Sequence, residues 1–427
     1  MQLDHASIDQ LAEFEKSLLA EYEAIKSLGL TLDLTRGKPG TDQVALSDSL
    51  DGILKGNFLT DNGTDTRNYG GLDGIPAMKK LGAEILGVEP KDVLVGGNSS
   101  LALMHQTIFF AHILGVDNNR KNAWCNEGAI KFICPVPGYD RHFSICEQFG
   151  IQMIAVNMTA TGPDMTQVEA LVKADPQIKG IWCVPKYSNP TGTVYSDDTV
   201  DRIAALGKIA GPNFRVMWDN AYAIHDLVEN PPVLASITER CKFHGTEDNV
   251  IQFASTSKIT FPGAGIAFLA TSEKNLDVFR AQLGISTIGP DKINQQRHAI
   301  FFKESGSLKN HMNKHKMLIK PKFDAALDTL RDAFKDCNYI SWTVPEGGYF
   351  ISVDLLPGLA NKVVGLANLV GVKLTPAGAT FPNGLDPEDK NIRLAPTYPS
   401  IAEVKKTMGV FILCVNLATV QYQLKNQ

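Results

Sequence analysis

The chain reads as an α/β protein. A large domain with a mostly parallel, seven-stranded sheet covered by helices is followed by a smaller α+β domain. Three observations predict this. The length, 427 residues, exceeds what one hydrophobic core usually serves. Between residues 93 and 270, short apolar runs alternate with amphipathic stretches, the pattern of parallel strands joined by crossover helices. Beyond residue 300 a long amphipathic stretch leads into a second mixture of strands and helices.

Residues 8–28 place Ile8, Leu11, Phe14, Leu18, Leu19, Tyr22 and Ile25 at helical spacing. Residues 30–75 are rich in turns and contain Arg36-Gly-Lys-Pro-Gly40 and Tyr69-Gly-Gly-Leu-Asp-Gly74; a helix follows over 75–85. Apolar runs predict strands at 93–95, 132–134, 153–156, 180–184, 214–218, 250–253 and 266–270. Helical spacing predicts helices at 101–114, 139–149, 164–173 and 197–210 between them. The amphipathic stretch 307–335 precedes strands at 339–344, 349–354, 373–375 and 392–394 and a last helix over 400–424. The expected division is 1–48, an N-terminal helix and segment joining the small domain; 49–305, the large ligand-binding domain; and 306–427, the small domain.

Composition excludes several classes. Hydrophobic residues are 44% and charged residues 20%, an ordinary globular balance. A net charge of -5 without a basic block offers no footing for nucleic acid. No apolar run is long enough to span a bilayer, and the polar, acidic N-terminus does not resemble a targeting peptide. The seven scattered cysteines form no Cys-x-x-Cys pair, which predicts reduced, mostly buried thiols in a cytoplasmic protein and no metal site.

Ligands of open parallel sheets bind beyond the carboxyl ends of the strands. After strand 93–95 comes Gly96-Gly-Asn-Ser-Ser100 and then a helix: a phosphate cradle of free N–H groups and helix dipole, or an ordinary capped helix start. After 180–184, Asn189 stands before Pro190, held extended as a hydrogen-bond donor or simply forming a turn. After 214–218 come Asp219 and Tyr222. A carboxylate behind a buried run needs a partner, such as a pyridinium nitrogen, unless it is a helix cap. After 250–253 come Ser255, Ser257 and Lys258, followed by Ile259-Thr-Phe-Pro-Gly-Ala-Gly265, which cannot extend a regular element. A partly desolvated lysine there can attack a carbonyl to form a Schiff base; a lone lysine in such a turn is otherwise a solvated loop residue. Arg393, at the end of 392–394, suits a bidentate grip on a carboxylate or a surface ion pair. Taken together, these residues specify a ligand with a phosphate, a ring nitrogen, a phenolic oxygen and an aldehyde, plus a partner bearing a carboxylate. Pyridoxal 5'-phosphate with an amino acid satisfies every element.

Over about residues 30–400 the chain resembles the class I aminotransferases of the fold type I pyridoxal-phosphate enzymes. The ordered set is Asn189-Pro-Thr-Gly192, Asp219-x-x-Tyr222, Ser255-x-Ser-Lys258 and Arg393. Arg36-Gly-Lys-Pro39, Pro185-Lys-Tyr-Ser-Asn-Pro190 and Ser257-Lys-Ile-Thr-Phe-Pro-Gly-Ala-Gly265 look most like a bacterial aspartate aminotransferase subgroup. The resemblance implies an aspartate-aminotransferase-like fold and a cytoplasmic homodimer with shared active sites. It implies that Lys258 binds the cofactor covalently and carries the proton. Asp219 holds the ring nitrogen, and Asn189 and Tyr222 hold the phenolic oxygen. Asn98, Ser99, Ser100, Ser255 and Ser257 surround the phosphate, with Tyr69 reaching it from the other subunit. Gly37 and Arg393 hold the substrate α-carboxylate, and Gly347-Gly-Tyr-Phe350 matches a small-domain strand near the substrate.

The sequence departs from the family at two places. The family's phosphate-binding arginine, eight residues after the lysine, is replaced by the uncharged stretch Gly263-Ala-Gly265-Ile266, leaving hydroxyls, helix N-termini, Lys186 or Lys38 to meet the charge. In Pro135-Val-Pro-Gly-Tyr139 a proline takes the place of the ring-stacking aromatic, which gives that role to Tyr139.

The expected reaction is L-aspartate with 2-oxoglutarate to oxaloacetate and L-glutamate. Alternatives are an aminotransferase for alanine, aromatic amino acids or 2-aminoadipate, or a fold type I lyase or decarboxylase. Arg36, Lys38, Arg141 and Arg297 are candidates for the substrate's second carboxylate. Ser255-x-x-Lys258 also fits a serine acyl-enzyme, but the Ser-Asp-Asn and Lys-Thr-Gly motifs that go with it are absent. Gly263-x-Gly265 is followed by Phe268 where a dinucleotide-binding loop needs glycine. A DNA-binding regulator built on this fold calls for a further domain ahead of Arg36, for which that stretch is too short.

Overall fold

A computed structural model describes residues 6–426. Residues 1–5, where the N-terminal reading against a targeting peptide begins, and Gln427 lie outside the described residues. The helices are α1 (Ile8–Ser27), α2 (Thr41–Ala45), α3 (Pro76–Leu86), α4 (Ser100–Phe109), α5 (Asp140–Gln148), α6 (Met165–Ala174), α7 (Asp197–Ala205), α8 (Ile237–His244), α9 (Glu273–Ser286), α10 (Lys292–Glu304), α11 (Leu308–Phe334), α12 (Ala360–Leu369) and α13 (Ile401–Asn426). The strands are β1 (Leu32–Asp33), β2 (Val93–Val95), β3 (Lys131–Val136), β4 (Gln152–Thr159), β5 (Gly162–Pro163), β6 (Ile178–Cys183), β7 (Arg215–Asp219), β8 (Val250–Ser255), β9 (Ala267–Ala270), β10 (Ile340–Trp342), β11 (Ile351–Leu355), β12 (Val372–Lys373) and β13 (Asn391–Leu394).

The seven expected strands form one sheet in the order β2-β9-β8-β7-β6-β3-β4, and the short β5 adds an eighth at the edge. β4, β3, β6, β7 and β8 run parallel, while β9 is antiparallel to both its neighbours. The run of buried residues along β6 and β8 has a simple cause: helices cover both faces, so neither face turns to water. β7 lies mid-sheet, and its last residue is Asp219.

The smaller unit is an antiparallel sheet, β10-β11-β13, in which Ser352 pairs with Arg393. α1 and α13 pack together, joined at the rim by Gln421 donating to Glu15 at 2.8 Å. α13 is buried along most of its circumference. The core of this unit runs without a break from Leu11 and Val410 to Tyr222, Tyr349 and Phe350, so its packing reaches the floor of the strand-end crevice.

Several helices carry no clear periodic signal. α10 buries Gln295, Gln296 and His298 beside its phenylalanines, so its inward face is not apolar and the 3.6-residue pattern is hidden. The helix expected over 101–114 is α-helical to Phe109 and then passes into a π-helical turn over 110–114.

His298 shows how such a polar face is satisfied. Its Nδ1 donates to Asn294 O, and its Nε2 accepts from Thr260 Oγ1, both at 2.9 Å. Burial lowers its pKa from 6.5 to about 4. The unfolded chain therefore takes up this proton from 6.5 downward and the folded chain only near 4, so stability falls as pH drops through that window. The loss for this residue is roughly 3 kcal/mol at full effect. Thermal melts between pH 7 and pH 4.5 should show a smaller decline for His298→Gln than for the wild type; equal declines would contradict this account.

Candidate active site

The strand ends bring most of the expected residues to one crevice. Asp219 is 2% exposed. Its Oδ2 accepts a hydrogen bond from His142 Nε2 at 3.0 Å, while its Oδ1, also buried, has no hydrogen-bond partner among the described residues. A buried carboxylate oxygen without a donor is costly, so this atom is suited to a cationic N–H group. His142 comes from α5 and stacks on Trp182 of β6, with ring centres 4.2 Å apart and planes 8° apart.

Lys258 stands three residues beyond β8. Its Nζ lies 4.9 Å from the ring centre of Tyr222 and 5.9 Å from that of Tyr349. Burial lowers its pKa below the ordinary amine value; the Asp219 carboxylate pulls it back up and Arg393 pushes it down. The net shift favours the neutral, nucleophilic amine. Burial raises the pKa of both Tyr222 and Tyr139, with negative charge at Asp219 adding to the rise, so both hydroxyls keep their protons as donors.

Arg393 projects from β13 into the same crevice. Its Nη1 donates to Asn189 Oδ1 and to Asp140 Oδ1, each at 3.2 Å. The guanidinium lies 4.8 Å from the ring centre of Phe350, and its Nε is buried without a partner among the described residues. Gly37 abuts the tip of the same ring, where a Cβ would fall 2.2 Å from Phe350 Cζ. A larger residue at 37 would thus disturb the stack of Phe350 and Arg393.

A second group of residues forms a rim of hydroxyls and free N–H groups. Ser99 occupies the cap position of α4 but makes no side-chain capping bond, which leaves the first-turn donors, starting at Ser100, available. Ser257 Oγ donates to Asn98 O at 2.9 Å, Ser255 Oγ to Ser257 Oγ at 3.1 Å, and Asn98 Nδ2 to Gly263 O at 3.3 Å. A Cβ on Gly265 would stand 3.1 Å from Thr256 Oγ1 and 3.3 Å from Asn98 O, so glycine lets the two loops meet.

Some expectations fare differently. Tyr69 is 84% exposed and stands outside this cluster, its loop tethered by Lys292 Nζ donating to Gly70 O at 2.6 Å. Lys186 is turned away from any phosphate role: its Nζ pairs with Asp226 at 2.8 Å and donates to Ala223 O at 3.0 Å. Ile266, at the place of the family's arginine, is buried and donates its N–H to Thr256 Oγ1. Sequence reasoning missed His142 and Asp140. The signal for His142 was the need of a buried Asp219 for a donor, together with one helical turn separating His142 from Tyr139. Nothing in the local pattern pointed to Asp140 as the partner of Arg393.

Replacing Gly37 by alanine should force the Phe350 ring out of the stack. A destabilisation of about 1–3 kcal/mol is expected, read as a fall in Tm. An unchanged Tm would mean that the segment yields freely.

Comparison with known proteins agrees with this geometry. The family model of the aspartate amino-transferases matches residues 6–427. A curated aspartate aminotransferase from Corynebacterium glutamicum is 43% identical over 423 residues, covering 99% of this chain and 97% of that protein. The crystal structure of an aspartate transaminase from Corynebacterium glutamicum superposes with a TM-score of 0.94 at 43% identity, covering 99% of each chain. An α-aminoadipate aminotransferase from Thermus thermophilus, solved with N-(5'-phosphopyridoxyl)-L-leucine, shares the fold at 20% identity, with a TM-score of 0.74 over 98% of this chain and 96% of that one. Among the described residues no helix is long and apolar enough to cross a membrane. With a match over almost its whole length and relatives at 43% identity, the chain belongs to the aspartate amino-transferase family.

Proposed function

We propose that this aminotransferase works with pyridoxal 5'-phosphate and transfers the amino group of L-aspartate to 2-oxoglutarate, giving oxaloacetate and L-glutamate. The observation that carries the cofactor reading is the buried Oδ1 of Asp219, without a partner among the described residues, in one crevice with the Lys258 amine. The substrate reading rests on the 43% identical relatives named for aspartate.

When bound, pyridoxal 5'-phosphate supplies an aldehyde carbon and a ring that accepts the electron pair left when an amino acid loses its α-proton. Asp219 would hold the ring nitrogen in its protonated form through Oδ1, while His142 orients the carboxylate through Oδ2. Tyr222 and Asn189 would hold the phenolic oxygen, and Tyr139 would cover one face of the ring. The α4 N-terminus with Asn98, Ser99, Ser100, Ser255 and Ser257 would bind the phosphate. Lys258 Nζ, its proton affinity lowered by desolvation, would anchor the cofactor, be displaced by the substrate amine, and then move the proton taken from the substrate α-carbon. Arg393 and the Gly37 backbone would bind the substrate α-carboxylate. Asn189 and Asp140 already orient the Arg393 guanidinium.

For the second carboxylate, Arg36 is paired with Asp33, Lys38 lies over the Tyr398 ring, and Arg297 donates to Leu50 O. Arg141 is exposed in the first turn of α5, beside Asp140 and Tyr139, and has no salt bridge among the described residues, so we assign it this role. Arg141→Ala should raise the KM for aspartate roughly tenfold or more while leaving alanine turnover little changed. Equal effects on both substrates would remove the assignment.

We also infer a cytoplasmic homodimer with the protomers completing each other's sites. Tyr69 is solvent-facing, and the nearby segment carries exposed Ile285 and Ile288. A cofactor-loaded monomer with full activity in analytical ultracentrifugation would contradict this.

The function is tested by half-reactions of the loaded enzyme with aspartate, glutamate, alanine and an aromatic amino acid. Aspartate should convert the bound pyridoxal to the pyridoxamine form. Failure with aspartate and success with another amino acid would overturn the substrate reading. Borohydride reduction should add mass to the peptide bearing Lys258, and Lys258→Ala should abolish it.

A further inference from the structure

Behind Lys258 lies a set of buried polar side chains that the amino-transfer chemistry does not use. His315 Nε2 donates to Ile259 O at 2.9 Å, and His311 Nε2 reaches the same oxygen at 2.7 Å. His315 Nδ1 faces Gln43 Nε2 at 3.3 Å. Gln43 Nε2 also donates to Tyr349 Oη at 3.0 Å, and Tyr349 Oη donates to Lys258 O at 3.3 Å. Gln43 Oε1 accepts from Gly40 N at 3.1 Å. Gln43, His311, His315 and Tyr349 are all 1% exposed or less.

His315 Nε2 also lies 3.1 Å from His311 Nε2, the two nitrogens converging on one oxygen, and the His315 tautomer is fixed from the Gln43 side. The Gln43 amide has two N–H groups and spends them on His315 Nδ1 and Tyr349 Oη. His315 Nδ1 must then carry a lone pair, which puts its proton on Nε2, where Ile259 O accepts it. Tyr349 accepts from Gln43 and is free to donate to Lys258 O. The other tautomer of His315 would set its Nδ1–H against the Gln43 amide N–H and leave Nε2 without a proton for Ile259 O. Burial, then the neighbouring His311, lowers the His315 pKa to about 4, so the neutral form that this arrangement needs persists near neutral pH. The titratable groups acting on it are His311 and Asp42.

The ring joins distant parts of the chain. Gln43 lies in α2, six residues after Gly37. His311 and His315 lie one turn apart on α11. Tyr349 adjoins Phe350, which supports Arg393. Tyr349 is itself placed by the Gly347-Gly348 turn: Gly348 N donates to His225 O at 2.9 Å, and a Cβ at Gly347 would fall 2.2 Å from the Tyr187 ring. The carbonyls of the lysine and of the residue after it are therefore held by the same elements that hold the carboxylate-binding stack.

We propose that Gln43, His315 and Tyr349 are positioning residues that clamp the Lys258–Ile259 peptide units and so set where the lysine amine stands relative to the cofactor. This rests on the pyridoxal-phosphate reading given above. A clamped backbone keeps Nζ at its desolvated station over Tyr222. A loosened one lets the protonated nitrogen move toward water and negative charge, so its proton affinity rises.

The test is an absorbance pH titration of the Lys258-bound chromophore in the loaded enzyme, with thermal melts alongside. Tyr349→Phe, Gln43→Leu and His315→Leu should each raise the protonation midpoint by about half a pH unit or more, roughly threefold in proton affinity. His315→Gln, which keeps one donor and one acceptor, should restore much of that shift. Midpoints that match the wild type in Tyr349→Phe and Gln43→Leu would overturn the proposal, whether or not Tm falls, because lost packing alone would lower Tm without moving the midpoint. Should the leucine variants fail to fold, Tyr349→Phe, which keeps the ring and removes only the hydroxyl, decides the matter. A wild type that forms no lysine-bound chromophore would overturn the function proposed above, and this inference with it.

Discussion

The constraint on which the site depends is a carboxylate buried at the carboxyl end of a central strand. Asp219 ends β7 with apolar neighbours on both sides of the sheet, where an unpaired charge is expensive. His142 meets one oxygen, and its own orientation is fixed by stacking on Trp182. The other oxygen is buried without a donor among the described residues. Such an arrangement is unfavourable as plain structure and suits a donor that a ligand brings in.

The same negative charge acts on its surroundings. It adds to the burial that holds the Tyr222 and Tyr139 hydroxyls in their protonated form, and it partly offsets the desolvation of Lys258. Arg393 works in the opposite sense on the amine while being held between Asn189 and Asp140. An acid, an amine and a guanidinium thus share one crevice, and the amine feels both of the others. The smaller unit contributes Arg393 from β13 and Phe350 from just before β11, the large sheet Asp219 and the Lys258 loop, and a shared core joins them at Tyr222 and Tyr349.

Much of this was legible in the chain. The seven strands declared themselves because a sheet covered on both faces demands uninterrupted apolar runs. The strand-end rule then pointed to Asn189, Asp219, Ser255, Lys258 and the 96–100 loop. What stayed hidden has a common cause. α10 buries amides and an imidazole, so its inward face carries no apolar period. His142, Asp140, His315 and Gln43 matter through partners far away in sequence, and a polar residue gives no local sign of which distant group it will meet. The same limit explains Lys186, which reads as a candidate for phosphate but is claimed by Asp226.

Sequence alone determined the class of fold, the order of the chemical groups and the lysine on which the reading turns, because periodicity and strand-end position are properties of a local stretch. Tertiary structure decided which oxygen of Asp219 remains open, which residues steady Arg393, and how the Lys258 backbone is clamped from three separate elements. Those outcomes depend on distances between segments tens to hundreds of residues apart, and only the packed chain sets such distances.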